Sequence, residues 1–282
     1  MKTLLVPVDF SAASHNAYLY ARGMAHTMDA MLKVVHVFSG TFEPEAALIL
    51  TAGMGRAASL QKQLDDFVQR FPEQQEGKLL TQLKVETEVI HGQTVASIVE
   101  QSKQADVEMV VIATTGQGDV IDRLLGSVSS AVAQKVERPV VLVPPSVQYQ
   151  PYKRIMYASN LESTYEEAIQ QLVQFNQIFN AAVHFVHVVE EGKIYEEISE
   201  EIFGRLFANN DPGFSFSLTS MYNSQSVLDA LERYAEQNEM ELLVLVNRQR
   251  GFLNNLLGNS MTKEMSKYTT IPLMVFHFTG FD

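Results

Sequence analysis

Ala113, Gly116, Gly118, Gly126, Ser127 and Ser129 fall within one stretch, ATTGQGDVIDRLLGSVSS, residues 113–130. These residue types suit the binding of a phosphate or another anion. Glycine allows a ligand to approach the backbone closely. A Gly-Ser pair that opens a helix offers free N–H groups, hydroxyl donors and the positive end of the helix dipole. The stretch follows the apolar run VEMVVI (107–112) and precedes AVAQKVE (131–137), which gives the order strand, glycine loop, helix. It is not a P-loop, since no Lys follows the second glycine. It is not the dinucleotide fingerprint either, since Gly116 and Gly126 are ten residues apart. Two further positions can serve the same ligand. The carboxylate of Asp9 can accept hydrogen bonds from ribose hydroxyls, and the backbone at Val37 can read the edge of a base.

The elements that must position these residues alternate along the chain. TLLVPV (3–8) reads as a strand, too short for a helix and closed by a turn. Helical spacing follows over 14–28, with Ser11 or Ser14 able to cap it. LKVVHVF (32–38) is a second strand, about 55–71 a long helix, and LKVETEVI (83–90) a third strand, broken by HGQ (91–93). A helix over 94–103, a strand over 107–113, the glycine loop, a helix over 127–137 and the strand PVVLVP (139–144) complete the series. Strands separated by helices imply right-handed crossovers and a parallel sheet covered on both faces. The near-continuous β-branched runs agree with that burial. Ligands of such open sheets bind beyond the carboxyl ends of the strands, where strand order reverses. With the order 3-2-1-4-5 that crevice lies between the first and fourth strands, where Asp9, Val37 and the glycine loop all fall.

The series is written twice. Residues 3–38 align with 154–189 without a gap at an offset of 151, placing Asp9 over Asn160 and His36 over His187. Near the ends the glycine loop aligns at an offset of 132, with Gly126 over Gly258. After that glycine the offset becomes 133, so Asn259 reads as a one-residue insertion before Ser260. On this alignment Leu245 and Arg248 stand where the first copy has Ala113 and Gly116. The expected architecture is therefore α/β: two tandem three-layer domains, 1–147 and 152–282, each a five-stranded parallel sheet of order 3-2-1-4-5 flanked by helices. The last strands, RPVVLV (138–143) and IPLMVF (271–276), would be bare apolar edges if left unpaired. They are expected to join the two domains as an internal pseudo-dimer.

Composition narrows the function. A chain with 46% hydrophobic and 19% charged residues is globular rather than disordered. The net charge of −12, with no basic tract, disfavours nucleic acid and anionic membrane as partners. No apolar run reaches the roughly 18 residues a membrane helix needs, and MKTLLVPVDF meets Pro7 and Asp9 too soon for a signal peptide. The absence of cysteine fits a reducing compartment, and a cytoplasmic protein is expected. Each candidate residue also has a plain structural reading. Asp9 can be a turn residue, and His36 and His187 strand-end residues. His184 and His187, three apart on a strand, point to opposite faces and make no simple metal pair.

The combination LLVPVDFSAASHNAYLYA (4–21), the strand VVHVF (34–38) and G-x9-GS followed by RPVVLVP resembles the universal stress protein family, in both halves. The resemblance implies ATP as the ligand, with AMP as the alternative and Mg2+ as a companion ion. The ATP-binding branch carries G-x2-G-x9-G-[S/T], which appears here as Ala113-x2-Gly116-x9-Gly126-Ser127, with Ala in place of the first glycine. Carried over residue by residue, Pro7, Val8 and Asp9 flank the ribose, and Val37 meets adenine through its backbone. Ala113, Gly116, Gly126, Ser127, Val128 and Ser129 surround the phosphates. The second copy loses a glycine and the carboxylate together, which argues for weak or absent binding there.

Three functions are compatible with these residues. The first is a nucleotide-binding stress-response or signalling protein that uses the ligand as a switch on loop 116–129 with little catalysis. The second is a scaffold acting through an unidentified protein partner, alone or as a homodimer. The third is an ATP-consuming adenylyltransferase or ATPase. It lacks support from a P-loop Lys, a clear metal-binding carboxylate pair or a nucleophile constellation.

Overall fold

The computed structural model describes residues 1–39, 46–69, 83–115, 126–159, 166–190, 213–223, 227–248 and 271–278. The first half runs β1 (Thr3–Pro7), α1 (Ala12–Met28), β2 (Met31–Phe38), α2 (Ala46–Gln69), β3 (Val85–His91), α3 (Thr94–Ser102), β4 (Val107–Ala113), α4 (Ser127–Lys135) and β5 (Val140–Val143). The second half runs β6 (Arg154–Ser159), α5 (Glu166–Phe179), β7 (Ala182–Glu190), β8 (Phe216–Asn223), α6 (Val227–Gln237), β9 (Leu242–Arg248) and β10 (Leu273–Phe278).

The strands form one sheet in the order β3-β2-β1-β4-β5-β10-β9-β6-β7-β8. Each half is parallel and has the expected order 3-2-1-4-5. Alternation along the strands sends apolar side chains to both faces, the pattern a doubly covered sheet requires. Leu4, Val6, Val34, Met109 and Val111 pack beneath α1 and α2, in a layer that continues under α5 with Tyr157 and Phe185. Leu5, Val35, Val110 and Ile112 pack on the other face against α3 and α4, in a layer continued by Leu243, Leu245 and α6. Each such Leu or Val contributes about 1.5–3 kcal/mol by leaving water.

The two halves meet through β5 and β10, which pair antiparallel with Leu142 opposite Leu273, Val141 opposite Met274 and Val140 opposite Val275. The apolar edge of each sheet thus covers the other. A linker reinforces the joint. Asn16 of α1 donates from Nδ2 to the carbonyls of Pro144 and Val147, each at 2.9 Å. Tyr149 packs against Gly23 of α1. Tyr152, in contact with Phe175 and Phe179 of α5, hydrogen-bonds the Tyr20 hydroxyl of α1. Burial pushes the Tyr149 phenol up to about 12 and the Tyr152 phenol well above its ordinary value.

The duplication extends to backbone detail. Asp29 and Asn180, 151 residues apart, follow α1 and α5 with φ of 51° and 50°, the left-handed conformation that ends a helix. The strand pairings also correct the alignment of the second loop. Val110 of β4 faces Val140 of β5, and Leu243 of β9 faces Leu273 of β10, a separation of 30 residues in both copies. The offset is therefore 133 on both sides of the loop. Val246, not Leu245, is the counterpart of Ala113, and no net insertion exists between the strands. The repeated Leu-Leu-Gly had drawn the loop one residue out of register.

Two helix boundaries differ from expectation. Helix α2 begins at Ala46 rather than near 55. Gly53 and Gly55 lower its intrinsic propensity by about 1 kcal/mol each, yet Ala, Leu and Ile around them carry the helix through. Helix α4 ends at Lys135 because Val136 turns extended, with ψ of 133°, and buries its side chain ahead of Pro139.

Candidate functional site

Beyond Pro7 the chain makes a tight, internally bonded turn into α1. The Ser11 N–H donates to Oδ1 of Asp9 at 3.0 Å, so the expected turn role of Asp9 is present. Ser11 is the N-cap, its hydroxyl accepting from the Ser14 N–H at 3.0 Å. The Ser14 hydroxyl donates in turn to the Ser11 carbonyl at 3.0 Å and accepts from the Asp9 N–H at 3.4 Å. Between them Phe10 adopts φ of 65°, a strained value for a bulky residue. Its ring lies 4.3 Å from the His36 ring, centroid to centroid, and meets Phe67 of α2 edge-on. His36 is a strand-end residue, with Nδ1 2.8 Å from the Val8 carbonyl.

The end of β4 is tied to the start of α4. The Gly126 N–H donates to the Thr114 carbonyl at 2.6 Å. The buried Ser129 hydroxyl donates to the Ala113 carbonyl at 2.7 Å. Ser129 is therefore a latch, not the free donor its sequence position suggests. Gly126 is the N-cap of α4 with φ of −62° and ψ of 153°, which any residue can adopt. Its backbone geometry does not call for glycine. It supplies no side-chain cap, so among the described residues no capping side chain covers the first N–H groups of α4. Ala113 is likewise outside the positive-φ region, so alanine is tolerated there.

These segments enclose a cavity of about 300 Å³, within the range of small-ligand sites. Pro7 lines it from the end of β1, Val8 and Asp9 from the turn that follows, and Val37 from β2. Ala113, Gly126, Ser127, Val128 and Ser129 line it from β4 and α4. The structure thus brings together nine of the residues singled out from sequence. Gly116 lies outside the described residues, as do Gly118 and the second copy's Asn160, Gly258, Asn259 and Ser260. Sequence reasoning missed Ser14, Val35, Thr94, Ile98, Ile112 and Thr115 in the lining. The signals existed: Val35 shares the face of Val37 by strand alternation, and Thr94 and Ile98 are one helical turn apart. Among the described lining residues only Asp9 is charged. An anion there would be held by N–H groups and hydroxyls.

In the second half His184 of β7 approaches the Tyr234 hydroxyl of α6 at 2.8 Å. Burial and the nearby Arg154 charge lower its pKa. Among the described residues no helix is long and apolar enough to cross a membrane.

The model of the universal stress protein family matches residues 1–144. A universal stress protein of Mycolicibacterium smegmatis is 25% identical over 289 residues, covering 96% of each chain. One from Synechocystis is 20% identical over 296 residues, covering 98% of this chain and all of its own. Among solved structures, a universal stress protein of Archaeoglobus fulgidus superposes with a TM-score of 0.68 at 15% identity, over 98% of this chain and 96% of its own. With a duplicated 3-2-1-4-5 sheet and full-length relatives of the same kind, the chain belongs to the universal stress protein family as a tandem two-domain member.

Proposed function

We propose that the first domain binds an adenine nucleotide, ATP or the smaller AMP, and that the bound ligand acts as a switch rather than a fuel. The observation that carries this reading is the convergence of Asp9, Val37 and the uncapped start of α4 on one cavity. Val35, Val37, Ile98 and Ile112 offer an apolar wall suited to a base. Asp9 suits sugar hydroxyls. The N–H groups at Ser127 and Val128, with the Ser127 hydroxyl, suit phosphate oxygens. In a chain of net charge −12 these oriented dipoles would have to outweigh long-range repulsion. Mg2+ would enter with the triphosphate. Gly116 belongs to the same proposed set, although it lies outside the described residues.

The domain boundaries on this reading are 1–147 and 152–282, with the second domain a structural or regulatory partner and the whole a cytoplasmic protein. Among the described residues that line the cavity, Asp9 is the only carboxylate and none is a histidine. Asp9 is engaged by Ser11 and placed for a sugar, so turnover should be slow or absent. Mass spectrometry of nucleotide released from freshly purified protein, followed by calorimetry with ATP and AMP, tests the proposal. Binding of either in the first domain is expected. Absence of both would leave the alternative of a scaffold acting through a protein partner.

A further inference from the structure

The β1–β2 ladder stops one step early, at Pro7 and Val35, and the next carbonyl of the first strand meets a side chain instead. The Met31 N–H donates to the Lys2 carbonyl, and the Leu32 N–H to the Lys84 carbonyl, both at 2.9 Å. Odd-numbered residues of β2 therefore turn their N–H toward β1, and even-numbered residues toward β3. On that pattern the Val37 N–H is aimed at the Val8 carbonyl. The last registered pair, however, is Pro7 with Val35, followed by the Val8 N–H donating to the Val35 carbonyl at 2.9 Å. The Val8 carbonyl instead takes the imidazole of His36, with Nδ1 at 2.8 Å. A carbonyl only accepts, so Nδ1 carries the hydrogen. His36 arrives from the opposite face of the sheet, and Phe10, held at φ of 65°, stacks on its ring. The Val37 N–H, at the cavity wall, has no acceptor among the described residues.

We propose that His36 is a positioning residue: by occupying the Val8 carbonyl it keeps the Val37 N–H out of the strand ladder and available to an acceptor atom of the ligand's base. Phe10 is the second part of the device. A strained φ at a bulky residue persists only where its surroundings enforce it, and here the enforced conformation lays the Phe10 ring over the imidazole. The inference deepens the nucleotide reading and rests on it for the identity of the acceptor, but the release of the Val37 N–H does not depend on any ligand.

Amide exchange by NMR on the ligand-free chain tests the device directly. In the wild type the Val37 amide should exchange at least about 10-fold faster than that of Val35, which lies within the ladder. In His36→Leu the Val8 carbonyl is vacated, so Val37 should gain protection. ATP or AMP affinity should then fall roughly 3- to 10-fold, the worth of one neutral hydrogen bond. His36→Asn, whose amide nitrogen can stand near Nδ1, should restore both wild-type values. A Val37 amide as protected as Val35 in the wild type would overturn the proposal, whatever the variants do. So would identical Val37 exchange in wild type and folded His36→Leu. If the exchange pattern is as expected but wild type binds neither ATP nor AMP, the nucleotide reading fails and the role of His36 in the ladder stands.

Discussion

The Ser129 hydroxyl donates to the Ala113 carbonyl across the gap between β4 and α4. The bond is buried, so Ser129→Ala leaves a carbonyl with one partner fewer in a dry place. A loss of about 1–3 kcal/mol is expected in urea unfolding. Ser127, one residue into α4 and exposed, should behave in the opposite way: Ser127→Ala should leave stability within about 0.5 kcal/mol of wild type while weakening ATP in calorimetry. Equal stability losses in the two variants would show that the latch is not what holds the loop.

Gly126→Val should separate binding from folding. The backbone there is extended, so valine adopts its φ and ψ without strain, and added bulk at this cavity-lining position should hinder the approach of phosphate. Folded Gly126→Val with unchanged ATP affinity would remove α4 from the site. Asp9→Ala should cost about 1.5–3 kcal/mol of binding, roughly 10- to 150-fold in affinity. Asp9→Asn keeps an acceptor for the Ser11 N–H and should therefore retain more stability than Asp9→Ala.

Ala113→Gly asks whether the methyl group at the family's first glycine position obstructs the ligand. Ala113 is buried, opposite Val143 in the sheet, so glycine should lower stability by about 0.5–1 kcal/mol. Tighter ATP binding in the variant, despite that loss, identifies the methyl as the obstacle. Unchanged affinity means that Ala113 is a neutral replacement.

Gly23→Ala targets the joint between the domains. A Cβ at Gly23 would overlap the Tyr149 ring, so Tyr149 and the linker must move. Overpacking of this kind costs about 1–3 kcal/mol. Faster proteolysis within 145–152 is expected, with nucleotide affinity unchanged. A linker as resistant as wild type would mean that Tyr149 does not anchor it.

His277 on β10 gives the fold a dependence on acid. Burial holds its imidazole down to about 4, against about 6.5 in an unfolded chain. Between those values the unfolded state binds a proton that the folded state refuses. The contribution is complete above about pH 6.5 and is lost as pH falls toward 4, at up to about 1.4 kcal/mol per pH unit. His277→Asn cannot take up that proton. Its stability relative to wild type should improve from pH 7 to pH 4.5 in urea titrations. Parallel pH profiles for the two proteins would contradict the assignment.

Much of this was legible in the residues. The parallel order follows from strands that alternate with helices, the duplication from the repeated series, and the meeting of Asp9 with Val37 and Gly126 from the gathering of loops at the strand-order reversal. What was hidden has local causes. Gly53 and Gly55 masked the first turns of α2, because propensity is a weak prior once surrounding residues favour a helix. A repeated Leu-Leu-Gly masked the register of the second loop, which only the β9–β10 pairing reveals. The inward turn of Ser129 and the reach of His36 to Val8 are tertiary contacts, and no spacing along the chain encodes which way a hydroxyl or imidazole turns.

The antiparallel meeting of β5 with β10 has a vectorial consequence. Because each half is parallel within itself, reversing direction at the joint sends the carboxyl ends of the two sets of strands to opposite rims of the sheet. The cavity of the first domain therefore opens at one rim, and the carboxyl ends of the second set of strands lie at the other. Whatever occupies that cavity is presented to a different side of the molecule from the carboxyl ends of β6 to β10. A tandem chain built this way is two-faced: one rim holds the cavity, and the other can diverge in sequence without touching it.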